Sequence, residues 1–127
     1  MNKLVKTIPS ADLIPEFLNT LNGILDLTNR ELDALIEIIK INSNNPKNEN
    51  VVSADIRKQI CKNTGLTLDN LARYVVRFKK KGILVSGKSD GSILLNKAIV
   101  PEIIGDRVQI TIVLKLDDEK RNEEQNG

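Results

Sequence analysis

The side chains of this chain best equipped for chemistry are cations gathered in its middle. Residues 51–100 hold 10 Lys or Arg against 3 Asp or Glu, a net +7. Residues 1–50 hold 5 against 7, a net −2, and residues 101–127 hold 4 against 7, a net −3. The densest run is Arg73, Arg77, Lys79, Lys80 and Lys81. A block this basic on so small a chain fits a polyanionic partner; a solvated lysine face is the other reading of the charge alone. Gly82-x4-Gly87-Lys88-Ser89 has the spelling of a nucleotide phosphate loop. Its setting is wrong, because such a loop follows a strand and opens a helix, whereas this run follows a helical pattern and leads into an Asp90-Gly91 turn. Catalysis is not expected. The chain has no histidine, the commonest general base and metal ligand. Cys61 is its single cysteine, with neither a second thiol nor an imidazole to make a metal or redox site. No cofactor, metal or small-molecule effector is expected.

The elements that must position the cations follow from apolar spacing. With 127 residues, 40% of them hydrophobic, the chain suffices for one domain with a modest core. That core must be aliphatic, since Phe17, Tyr74 and Phe78 are the only aromatics. So few ring faces argue against single-strand or RNA recognition, which relies on stacking. Residues 1–12 read as an arm. Pro15 suits the first turn of a short helix reaching Leu25, with Phe17, Leu18, Leu21, Ile24 and Leu25 on one face. Thr28 and Glu31 spell a capping box for a helix ending near Ile41, with Leu32, Leu35, Ile36 and Ile39 inward. Residues 42–50 include five asparagines and a proline. They read as a mobile solvent loop with nothing apolar to hold it.

Ser53 caps the next helix, with Asp55 in its first turn and Ile56 and Ile60 inward. That helix stops at Asn63-Thr64-Gly65. Thr67 caps a further helix, 67–81, whose apolar face is Leu68, Leu71, Ala72, Val75 and Phe78; Gly82 ends it. Ile83–Val85 and Ser92–Leu95 flank the Asp90-Gly91 turn as a β-hairpin. Val108, Ile110, Ile112, Leu114 and Leu116 alternate with other residues at strict period two, which predicts a long strand from Arg107 to Leu116. Residues 117–127 contain no apolar side chain and read as a disordered acidic tail.

The order of helix, tight turn, basic helix, glycine stop and hairpin over Ser53–Asn96 resembles a winged helix-turn-helix. Cys61, four residues before Gly65, supplies the small side chain where the two helices approach. The segment Val76–Val85 resembles the basic helix end and Lys-Gly-Leu-Ile entry to the wing of MarR-like winged-helix proteins. The likeness covers residues 28–97. It implies an α+β fold, a three-helix core plus a β-hairpin wing, extended by an N-terminal helix and an extra C-terminal β-strand. The expected organisation is an arm and short helix over 1–27, the winged domain with its strand over 28–116, and the tail over 117–127.

The resemblance also implies roles. Helix 67–81 would lie in the major groove of double-stranded DNA, with Thr67, Asp69, Asn70, Arg73 and Arg77 pointing away from the apolar stripe. Arg73 would read guanine and Asn70 adenine. Arg77, Lys79, Lys80 and Lys81 suit phosphates, Lys88 and Ser89 at the wing tip suit the backbone or minor groove, and Arg57 and Lys58 suit a flanking phosphate. Asp69 either accepts from cytosine or stabilises the positive end of its helix. A transcriptional regulator is the function expected. Gly91–Pro101 also resembles the winged-helix region of plasmid and phage replication initiators, which makes an initiator or accessory DNA-binding protein the alternative. A winged helix used only for protein docking is the third reading. The single cysteine fits a reducing compartment, no apolar run is long enough to span a bilayer, and Met1–Pro9 lacks the apolar stretch of a signal peptide, so a cytoplasmic protein without a membrane partner is expected. The long strand and the helix around Phe17 are candidate surfaces for a homodimer, or else complete the core of one chain.

Overall fold

The computed structural model describes residues 3–118. It has an α+β architecture of four helices and one two-stranded antiparallel hairpin. After a single 3-10 turn at Ser10–Asp12 come α1 (Leu13–Leu25), α2 (Asn29–Ser43), α3 (Ala54–Thr64) and α4 (Leu68–Lys80). The hairpin strands β1 (Leu84–Ser86) and β2 (Ile93–Leu95) follow, then a 3-10 turn at Lys97–Ile99. Among the described residues no helix is long and apolar enough to cross a membrane.

Side-chain caps set where three helices begin. Thr28 Oγ1 accepts from the Glu31 N–H while Glu31 Oε1 accepts from the Thr28 N–H, completing the capping box of α2. Ser53 and Thr67 each accept from the backbone N–H three residues on, opening α3 and α4. Gly65 closes α3 at φ 76°, a conformation that costs an L side chain roughly 1–2 kcal/mol.

α2 lies at the centre, packed against α1, α3 and α4. Leu18, Leu35, Ile38, Ile60, Leu71, Val75, Phe78 and Ile83 are fully buried where these elements meet. Truncating the largest of them, Phe78→Ala, would cost about 3–5 kcal/mol through lost burial and the cavity left behind. Phe17 and Leu18 belong to this core, so α1 is part of it. On α4 the apolar face is narrower than its spacing predicts. Leu71, Val75 and Phe78 are buried, whereas Leu68 sits at the open end of the helix and is 54% exposed.

The asparagine-rich loop is held after all, by its polar groups. Asn42 is buried; its amide donates to the carbonyls of Ile38 (2.7 Å) and Val51 (3.1 Å), and its Oδ1 accepts from Asn48 (2.8 Å). The Ile93 N–H donates to Glu49 O, and the Val51 N–H donates to Ile93 O. Asn50 thereby forms a parallel bridge with Ile93, on the edge of β2 away from β1. Apolar patterning cannot register a loop fastened by amides.

The long C-terminal strand does not form. Ile104 and Arg107 make one antiparallel bridge around Gly105-Asp106, with Gly105 at φ 65°, the φ pattern of a type II′ hairpin turn. The hairpin goes no further. The arm that would extend it, residues 100–103, is short, because the Lys97–Ile99 turn lies just before it. Val108 and Ile110 instead pack against the core near Phe17 and Leu21. Residues 108–117 carry no strand assignment, and Leu114 and Leu116 are 81% and 84% exposed. Most of the expected acidic tail, residues 119–127, lies outside the described residues.

Candidate nucleic-acid interface

α3, the turn at Gly65 and α4 form a helical pair beside the hairpin, and their polar faces hold most of the cations in question. At 3.6 residues per turn, burial of Leu71, Val75 and Phe78 turns Asp69, Arg73, Val76 and Lys80 outward along one row. All four are exposed. Thr67 and Asn70 lie at the N-terminal end of α4, where Thr67 accepts from the Asn70 N–H at 3.1 Å and Asn70 is half-buried.

Besides Thr67, whose hydroxyl caps α4, three of the ten expected contact residues are engaged by the fold. Arg77 Nε lies 2.8 Å from Glu31 Oε2, and its terminal nitrogen donates weakly to Asp26 O at 3.4 Å. Lys81 Nζ donates to Leu25 O (2.7 Å) and Asp26 O (3.3 Å). Both cations thus sit at the C-terminal end of α1, where unpaired carbonyls and the helix dipole favour positive charge. They tie the end of α4 to the α1–α2 turn. The same turn is braced by Asn22, whose side chain accepts from the Leu27 N–H and donates to Leu27 O. Arg57 Nε donates to Val52 O at 2.8 Å, which fixes α3 to the segment before it.

Glu31 explains why Arg77 is held. Its side chain is 3% exposed. Oε1 serves the capping box, and Oε2 has no hydrogen bond. The guanidinium meets Oε2 at ion-pair distance, so that oxygen is compensated by charge alone.

Lys58, Lys79, Lys80, Lys88 and Ser89 are exposed, and none of their side chains has an ion pair or hydrogen bond among the described residues. Lys88 and Ser89 stand in the hairpin turn, which Gly91 closes at φ 75°. A Cβ at Gly87 would meet the Ser92 hydroxyl, which would have to rotate away. Cys61 is half-buried against the core. Val76 is the member of the outward row that charge counting overlooks. Its position, three residues from Arg73 and four from Lys80, was the available signal, and it is 52% exposed. Among the described residues no group of three or more potential metal-ligating side chains converges. Comparison with protein families, curated proteins and solved structures finds no match to this chain.

Proposed function

We propose that this chain is a winged helix-turn-helix protein that binds double-stranded DNA through α4, with transcriptional regulation as its role. The observation that carries the reading is the outward row of α4. It is free of core duty and presents Arg73 and Lys80 on a helix whose far end is anchored by Arg77 and Lys81. A rigidly held helix with an unoccupied cationic face suits insertion into a major groove. The hairpin after Gly82, and the 49–51 segment bridged to β2, support the winged-helix reading by their order.

In this reading Arg73 and Asn70 face bases, and Val76 between Arg73 and Lys80 meets a thymine methyl. Lys58, Lys79, Lys80 and Lys88 meet phosphates. Arg57, Arg77 and Lys81 drop out of the contact set, because moving them to DNA would strip partners from Val52, Glu31 and the end of α1. Four phosphate contacts give a log–log salt slope of roughly −3 to −4 per chain. Titrating a duplex at two salt concentrations tests this. Absence of binding at low salt overturns it and leaves protein docking as the use of this face. Arg73→Ala should relax sequence preference by about 1–3 kcal/mol, whereas Lys80→Ala should weaken all duplexes alike. Selection of bound sequences from a random pool distinguishes a regulator's operator from an initiator's repeated sites.

A further inference from the structure

We infer that two copies of this chain pair through residues 107–117 as antiparallel strands, centred on Ile112. The segment has strand periodicity, yet among the described residues it pairs with no strand, because the Lys97–Ile99 turn leaves only a short neighbour on the other arm of the Gly105 turn. An extended segment with unpaired N–H and C=O groups is a ready template for another chain.

A second copy of the chain complements this segment. Val108 and Ile110 are anchored against the core, while Ile112, Leu114 and Leu116 continue the same face past the end of it. In an antiparallel pair related by a two-fold axis at Ile112, Leu114 lies opposite Ile110 of the second copy, and Leu116 opposite Val108. Each copy's exposed half is thereby carried to the other's anchored half. There the hollow lined by Phe17, Leu21 and Ile24 lies open beside it. The same register sets Gln109 against Lys115 and Arg107 against Asp117, so opposite charges close both ends of the pairing. Arg107 already holds Asp106 at 2.8 Å and would sit between that carboxylate and Asp117 of the second copy. A one-residue slip would set most of the apolar residues opposite polar ones.

The inference does not depend on the DNA reading, and its test uses no DNA. Light scattering after size exclusion should give twice the 14.1 kDa chain mass. Ile112→Lys, which brings two ammonium groups together on the axis, should return the mass to one chain with the helical circular dichroism unchanged. Arg107→Asp should weaken dimerisation, by roughly threefold to tenfold given how little exposed ion pairs contribute. Adding Asp117→Arg should restore it, which a merely misfolded variant would not do. A wild-type chain that stays monomeric up to about 100 µM overturns the inference, since association must follow concentration. So does a dimer indifferent to Ile112→Lys, or a charge swap that fails to rescue.

Discussion

Replacing Arg77 by alanine should destabilise the fold, whereas replacing Arg73 should not, although the two lie one turn apart on the same basic helix. Arg77 Nε is 2.8 Å from Glu31 Oε2, and that carboxylate is 3% exposed with no other partner for this oxygen. Removing one member of a fully buried ion pair costs about 3–5 kcal/mol, because the other charge stays buried and uncompensated. Arg77 itself is 48% exposed, so water can enter where the guanidinium was, and the expected loss falls to about 1–3 kcal/mol. At roughly 4 °C per kcal/mol for a domain of this size, the midpoint of thermal unfolding should drop by roughly 4–12 °C. Urea denaturation should show the same loss with an unchanged slope. In a Glu31→Gln background the effect of Arg77→Ala should shrink by about 1 kcal/mol or more, the coupling expected of residues in contact. Equal stability of the Arg77→Ala and Arg73→Ala proteins would refute the reasoning. It would mean that the Glu31 carboxylate needs no cation and that Arg77 is available for other work.

Two further outcomes test how the loops are held. Asn42→Ala should cost about 1–3 kcal/mol in urea denaturation, because it strands the Val51 carbonyl and the Asn48 amide beside the 49–51 bridge. Gly65→Ala should cost roughly 1–2 kcal/mol, and Gly65→Asn less, since a Cβ at Gly65 meets no atom within 4 Å and the penalty is the left-handed backbone alone.

The helix starts were legible because their signals are local. Thr28 with Glu31, Ser53 and Thr67 each act within one turn, and all three side chains cap as their spacing implies. The Asp90-Gly91 turn between two short apolar runs was equally local. The Arg107–Leu116 strand was misread because period two records only that a segment is extended with two unlike faces. It says nothing about whether a partner lies within reach, and here the Lys97–Ile99 turn cuts the neighbouring segment short. The Asn42–Asn50 loop was misread for the opposite reason. Its fastenings are amide hydrogen bonds to Val51 and Ile93, neighbours that hydropathy cannot register.

Charge behaves in the same way. Composition and spacing alone establish that residues 51–100 carry the positive charge and that Arg73, Arg77 and Lys80 share the polar side of one helix. Which of those cations remain available is decided only when α4 packs across the α1–α2 turn. The capping box buries Glu31, and the end of α1 leaves the Leu25 and Asp26 carbonyls without partners. Glu31 draws on Arg77 because an uncompensated buried carboxylate is costly, and the exposed carbonyls at the end of α1 favour the Lys81 cation. Arg73 and Lys80 stay free because the helical repeat points them away from every other element. The number of cations is a property of the chain, but their allocation depends on which acceptors tertiary packing brings beside them.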